Sequence, residues 1–82
     1  MQLLKFYATW CNPCNAMTEI MEEITFPYEV ISVDIEENMD LALKYGVRSV
    51  PTLVLVNENG EKVTSNVGLL DKKGITEKFI TA

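Results

Sequence analysis

Two cysteines, Cys11 and Cys14, are the residues of this chain best suited to chemistry, and they lie in the segment Trp10-Cys11-Asn12-Pro13-Cys14. The 82-residue chain has 2 Cys and 0 His. Because a structural zinc ion takes four ligands, usually Cys and His, we predict no metal site within one chain. A disulfide that closes so short a loop removes little entropy from the unfolded chain, so it is a poor structural staple. The pair therefore indicates thiol chemistry.

The sequence predicts that a helix begins beside this cysteine pair. Asn12 is the predicted N-cap, with Pro13 at the first helical position. The amides and dipole of a helix N-terminus stabilise a thiolate and lower the pKa of a thiol from about 8.5 toward 7 or below. We expect Cys11, just outside the cap, to be exposed and to attack, and Cys14, in the first turn, to resolve the mixed disulfide.

Apolar periodicity and turn signals predict the elements that position this pair, in the order βαβαββα. The predicted strands are Leu3–Ala8, Val30–Asp34, Pro51–Val56 and Lys62–Val67, the first two of them buried. The predicted helices run from Asn12 to Phe26-Pro27, from the cap Asn38 to Gly46, and from the cap Asp71 to about Ile80.

The connections between these elements predict an α/β sheet. A strand, a helix and a second strand form a parallel, right-handed unit, and the turn Asn59-Gly60 makes the last two strands antiparallel. We expect a single domain over residues 1–82, a four-stranded mixed sheet with helices on both faces. This arrangement places Cys11 at the end of the first strand, beside a helix N-terminus.

Three segments resemble the thioredoxin family. They are the active-site segment Tyr7-Ala8-Thr9-Trp10-Cys11-Asn12-Pro13-Cys14, the segment Lys44-Tyr45-Gly46-Val47-Arg48-Ser49-Val50-Pro51-Thr52, and Val67-Gly68. The turn Asn59-Gly60 also matches, and the likeness covers almost the whole chain. The family's longer members carry an extra strand and helix before this point, so the outline is closer to glutaredoxins and to short thioredoxin-like proteins of methanogens and phages.

The resemblance implies a minimal thioredoxin-like fold and a thiol–disulfide oxidoreductase that reduces protein disulfides. Cys11 and Cys14 would be the catalytic residues, and the bond before Pro51 would be cis. The residues expected to line a substrate groove are Trp10, Asn12, Pro13, Val50, Pro51 and Gly68. No cofactor beyond the disulfide is implied, and electrons would return from a thioredoxin reductase-type flavoenzyme or from glutathione.

Lys5 stands where thioredoxins place a buried aspartate, six residues before the first active-site cysteine. The aspartate is thought to help deprotonate the resolving cysteine. Two interpretations of Lys5 stay open. Its side chain could snorkel to the surface, or its ammonium group could lie under the cysteine pair and stabilise a thiolate.

The remaining pattern predicts ordinary packing and solvation. Met17, Met21 and Met39 are predicted to fill the core. The carboxylates of Glu19, Glu22 and Glu23 are predicted to form a solvated helix face.

The charge and hydropathy of the chain exclude several classes of partner. With 12 acidic and 7 basic residues the net charge is -5, and no basic stripe suits nucleic acid. No apolar stretch is long enough for a membrane span, and the first ten residues do not fit a signal peptide. We therefore expect a cytoplasmic monomer whose partners are disulfide-containing proteins, with no nucleic acid and no membrane.

The sequence leaves three alternatives to a protein-disulfide reductase. A glutathione-coupled glutaredoxin fits the size of the chain, although Arg48 and Lys5 are the only evident cations for glutathione carboxylates. Two chains could share an iron–sulfur cluster through their cysteines, with other thiols completing the ligands. A non-catalytic accessory subunit is the third alternative.

Overall fold

The computed structural model of the protein describes residues 1–81, which form four strands and three helices in the predicted order βαβαββα. The elements are β1 (Gln2–Tyr7), α1 (Asn12–Glu22), β2 (Glu29–Asp34), α2 (Met39–Lys44), β3 (Thr52–Val56), β4 (Lys62–Val67) and α3 (Lys72–Phe79). The predicted bounds of the strands differ from the observed ones by no more than a residue at each end. α1 ends at Glu22, before the predicted stop at Phe26-Pro27.

The four strands form one mixed sheet in the order β2-β1-β3-β4. β1 is parallel to β2 and antiparallel to β3, and β4 is antiparallel to β3. The parallel crossover and the hairpin are therefore confirmed. Because β1 lies between two other strands, the residues that follow it emerge from the interior of the sheet.

Helices cover both faces of the sheet, as predicted. On one face, α1 and α3 pack against the side chains of Leu3, Leu53 and Leu55. On the other face, α2 packs against Leu4 and Phe6 among others. Alternate residues of a strand point to opposite faces, so β1 and β3 contribute to both cores.

Two predictions of burial are wrong. β2 was predicted to be a buried strand, but it lies at the edge of the sheet, where only Val33 is buried and Val30 is 36% exposed. Met39 was predicted to be a core residue, but its side chain is 71% exposed, because α2 turns Ala42 rather than Met39 toward the sheet. Met17 and Met21 are buried as predicted.

The helix caps agree in part with the sequence. Asp71 caps α3 as predicted, and its Oδ1 accepts a hydrogen bond from the Gly74 amide at 2.8 Å. Asn38 occupies the N-cap position of α2, but its side chain caps nothing; its Nδ2 donates to the Asp34 carbonyl at 3.1 Å instead. Among residues 1–81, no helix is both long and apolar enough to cross a membrane.

Candidate active site

Cys11 and Cys14 form a disulfide at the junction of β1 and α1, and their Cα atoms are 5.2 Å apart. A short connection from Ala8 to Cys11 joins the strand to the helix. The Cys11 amide donates to the Ala8 carbonyl at 3.2 Å, which tightens this connection. The disulfide therefore sits at the point where the central part of the sheet meets a helix N-terminus.

Cys11 itself is the N-cap of α1, which corrects the predicted cap at Asn12. Its backbone is extended (φ -94°, ψ 105°), and its Sγ accepts a hydrogen bond from the Cys14 amide at 3.1 Å. Asn12 is the first helical residue and Pro13 the second. Amides in the first turn have no acceptor within the helix, so the N–H that Pro13 lacks costs no helical hydrogen bond. The sulfur of Cys11 thus receives one of the free amides of the helix N-terminus.

The cysteine pair is more buried than expected. Cys11 was predicted to be exposed, but it is only 4% exposed and Cys14 only 2%. Both pack in a small cluster with Ala8, against which Ile35 and Val50 lie partly buried. The disulfide holds Cys11 against the first turn of the helix, and this position contributes to its burial.

An exposed rim surrounds the buried pair. Trp10 is 66% exposed, and Asn12 and Pro13 are exposed as well. The indole Nε1 of Trp10 donates to Glu36 Oε1 at 3.2 Å, which holds the ring against the segment between β2 and α2. A partner that reaches the disulfide must therefore contact this rim.

The segment before β3 forms another side of the site. The Val50-Pro51 peptide bond is cis, as predicted, and Val50 packs against the cysteine cluster. The Gly68 amide donates to the Pro51 carbonyl at 2.8 Å. Gly68 has φ +96°, which an L side chain rarely adopts, and a Cβ there would meet nothing within 4 Å. The backbone is thus open to a partner beside Pro51.

Lys5 lies beneath α1 and not at the surface, with 7% of the residue exposed. Its Nζ donates to Thr18 Oγ1, and the Thr18 hydroxyl donates to the Cys14 carbonyl at 3.0 Å. Burial lowers the pKa of Lys5 from its usual value of 10.5, and the Glu22 carboxylate opposes that shift. Two hydrogen bonds thus connect the ammonium group to the backbone of Cys14.

Two contacts at this site escaped the sequence analysis. Glu36 binds Trp10 across 26 positions of sequence, and Thr18 links Lys5 to Cys14. Thr18 stands four residues after Cys14, which is the spacing at which a threonine hydroxyl reaches back to a helix carbonyl. Nothing in the local sequence marks Glu36, because only the pairing of β1 with β2 brings it to Trp10.

The described part of the chain contains no group of three or more His, Cys, Asp or Glu side chains that could hold a metal ion. The chemistry at this site is that of sulfur. Its elements are a cysteine pair that forms a disulfide, a helix N-terminus that donates an amide to the first sulfur, and an accessible rim.

Comparison with known proteins extends these findings. The family model described as Thioredoxin matches residues 1–81. The chain is 42% identical over 79 residues to a thioredoxin of Rickettsia bellii, covering 92% of this chain and 74% of that protein. It is 39% identical over 80 residues to a thioredoxin of Staphylococcus aureus, covering 93% of this chain and 76% of that protein.

Two solved structures share the fold. A mutant thioredoxin from Halobacterium salinarum NRC-1 superimposes with a TM-score of 0.87 at 39% identity, covering 98% of this chain and 72% of that one. A thioredoxin from Nicotiana alata superimposes with a TM-score of 0.83 at 28% identity, covering 98% and 70% of the two chains.

Proposed function

Since the chain belongs to the thioredoxin family and is a thiol–disulfide oxidoreductase that acts through Cys11 and Cys14, we propose that Cys11 is the attacking thiol in the reduction of protein disulfides. The observation that carries this assignment is the hydrogen bond from the Cys14 amide to Cys11 Sγ. The same N–H is positioned to donate to a Cys11 thiolate, which the helix dipole also stabilises. Cys14 lies inside the first turn of α1.

The proposed reaction has two steps. The Cys11 thiolate attacks one sulfur of the substrate disulfide, that bond breaks, and the leaving thiolate takes a proton. The Cys14 thiolate then attacks Cys11 Sγ in the mixed disulfide and releases the second substrate thiol. Two electrons and two protons pass from the dithiol to the substrate, and the Cys11–Cys14 disulfide forms. No prosthetic group takes part in this cycle.

The substrate groove is proposed to consist of Trp10, Asn12, Pro13, Val50, Pro51 and Gly68. Exposure of Trp10, the open backbone at Gly68 and the contact of Val50 with the cysteine cluster support this choice. An extended substrate segment would lie between the Trp10 rim and the Val50-Pro51 backbone, whose polar groups can pair with it.

We propose that Lys5 favours the thiolate form of the pair. Its ammonium group donates to Thr18 in the second turn of α1, and Thr18 donates to the Cys14 carbonyl, so a positive charge one turn from the pair favours a thiolate there. This interpretation replaces the snorkelling alternative, which the 7% exposure of Lys5 does not support.

A flavoenzyme reductase is the proposed source of electrons, in preference to glutathione. Glutathione has two carboxylates and requires cations in the groove. Lys5 is buried beneath α1 and is unavailable to such a ligand, so of these two cations only the exposed Arg48 could bind a carboxylate. We further propose that residues 1–82 act as a single domain and as a monomer in the cytoplasm.

The assignment of roles to the two cysteines is tested by trapping. With Cys14→Ser, attack by Cys11 produces a mixed disulfide that cannot be resolved, so the complex with a disulfide-containing protein such as insulin should accumulate. Cys11→Ser is the matched control and should trap little or nothing. Mass spectrometry of non-reduced samples measures both adducts. Equal trapping by the two variants, or trapping through Cys14 alone, contradicts the proposal.

A further inference from the structure

The outward face of α2 carries two large apolar side chains that no part of the described chain covers. Met39 is 71% exposed and Leu43 is 82% exposed. They stand four residues apart in a helix, so they lie side by side on one face. The helix packs on the sheet through Leu41, Ala42 and Tyr45, which leaves this pair directed to solvent. The core therefore does not explain them.

Carboxylates flank this apolar pair. Glu36, Glu37 and Asp40 are all exposed, and they line a shallow depression at the start of α2 together with Met39. Lys44 is the one basic residue of that lining, and its Nζ lies over the Tyr45 ring, 5.3 Å from the centroid, toward the β3–β4 turn. We call Glu36, Glu37, Met39, Asp40 and Leu43 the outer α2 surface; it is apolar at Met39 and Leu43 and negative toward the start of α2.

The outer α2 surface is continuous with the rim of the active site. Glu36 belongs to both, because its Oε1 accepts the hydrogen bond from Trp10 Nε1 at 3.2 Å. The two parts meet because β1 and β2 are parallel, so that the residues following each strand emerge at the same end of the sheet. A segment that contacts Trp10 can therefore continue onto Met39.

We infer that the outer α2 surface is a docking site for disulfide-containing protein partners in which basic and apolar side chains flank the reactive cysteine. Lysine or arginine of the partner would meet Glu36, Glu37 and Asp40, and an apolar side chain would cover Met39 and Leu43. The inference rests on the proposed function, because it assigns a substrate preference to the same site.

The negative charge of the surface favours a basic protein partner over a second copy of the chain or a nucleic acid. A second copy of the chain would bring the same carboxylates against each other, and each copy has a net charge of -5. Nucleic acid would be repelled for the same reason. A basic, apolar segment gains from both parts of the surface, since burial of the apolar pair supplies affinity and the carboxylates speed the encounter.

The test uses three synthetic peptides, each with one cysteine joined to 2-mercaptoethanol by a disulfide. In each peptide five residues follow the cysteine, and in an extended conformation they span about 17 Å. The five residues contain Lys and Leu in the first peptide, Lys and Ser in the second, and Glu and Leu in the third. The reduced protein converts the disulfide of each peptide to the peptide thiol and free 2-mercaptoethanol and becomes the Cys11–Cys14 disulfide, so two electrons and two protons move. Trp10 fluorescence reports the second-order rate constant. Each rate constant is divided by that for bis(2-hydroxyethyl) disulfide, which is small and neutral.

The Lys–Leu peptide should react about fivefold faster than Lys–Ser and about tenfold faster than Glu–Leu, and added salt should reduce only the second ratio. In the double variant Met39→Ser, Leu43→Ser, the Leu-to-Ser ratio should fall to about one while the Lys-to-Glu ratio persists. In Glu37→Gln, Asp40→Asn the Lys-to-Glu ratio should fall instead. Val63→Ser, at an exposed valine in β4, is the matched control and should preserve both ratios.

Unchanged ratios in both double variants overturn the inference. So does a concentration-dependent dimer in sedimentation velocity that Met39→Ser, Leu43→Ser abolishes, because a second copy would then be the occupant. Failure to reduce the small neutral disulfide would count against the proposed function instead, so the two failures are distinguishable.

Discussion

At the scale of single residues, the site combines a buried sulfur pair with a buried cation. Lys5 is connected to the Cys14 backbone through Thr18, and burial lowers the pKa of its ammonium group. Glu22 is the titratable group that faces Lys5 from α1, and the neighbouring residue on β2 is Ser32, which carries no charge. The charge of Lys5 is therefore offset only in part.

Lys5→Met should slow alkylation of Cys11 in the reduced protein by iodoacetamide at pH 7 by about three- to tenfold, because fewer Cys11 thiols are then ionised. Lys5→Arg, which keeps the charge, should retain the rate. Rates are read from mass spectra over a range of pH. If the pH midpoint of alkylation is unchanged in Lys5→Met, Lys5 does not influence the ionisation of Cys11.

The same variant should also change how stability depends on pH. Because the pKa of Lys5 is lower in the folded chain than its usual 10.5, the folded state is penalised at low pH and becomes more stable as pH rises through the folded pKa. The free energy of unfolding of Lys5→Met should therefore exceed that of the parent most at neutral pH, and less as pH approaches 10.5. Urea titrations measure it, and Lys78→Met, at an exposed lysine, is the control.

At the scale of elements, short-range signals set the order of strands and helices. Apolar runs and the Asn59-Gly60 turn predicted every element of the sheet, and Asp71 caps α3 as expected. The N-cap of α1 was misassigned because Asn12 is the better side-chain acceptor by residue type. The disulfide and the turn from Ala8 place Cys11 there instead. N-cap preferences by residue type do not include the constraint that the disulfide imposes on Cys11.

Asp71→Ala should lower the free energy of unfolding by about 1 kcal/mol, because the Gly74 amide loses its acceptor. Asp71→Asn keeps an acceptor oxygen and should cost only a few tenths of that amount. Chemical denaturation followed by circular dichroism compares the two variants with the parent. A loss of the same size in Asp71→Asn would show that the negative charge, and not the hydrogen bond, stabilises the helix.

At the scale of the whole molecule, what sequence could not supply is long-range placement. The position of β2 at the edge and the contact between Trp10 and Glu36 depend on how strands pair across the sheet, and the exposure of Met39 depends on which face of α2 packs on it. The cysteine motif, the sheet and its helices were predictable because each has a local signal. The burial of Cys11 and the outer α2 surface had none.

The reduction potential of the Cys11–Cys14 disulfide, which decides its electron source, is also a property of the whole molecule. In graded glutathione buffers, followed through Trp10 fluorescence, we expect a potential near or below about -250 mV, as suits a reductant supplied by a flavoenzyme. A value near about -200 mV would instead favour coupling to glutathione. Cys11→Ser, which cannot form the intramolecular disulfide, provides the baseline of fluorescence.

The order β2-β1-β3-β4 has a consequence for the exchange of amide hydrogens with solvent. β1 and β3 are hydrogen-bonded on both sides, whereas β2 and β4 each have one free edge, so opening of an edge strand leaves the inner pair intact. The amides of β1 should therefore be among the last to exchange. The reacting cysteine therefore follows a strand that opens late, and the Val50-Pro51 backbone precedes the other inner strand.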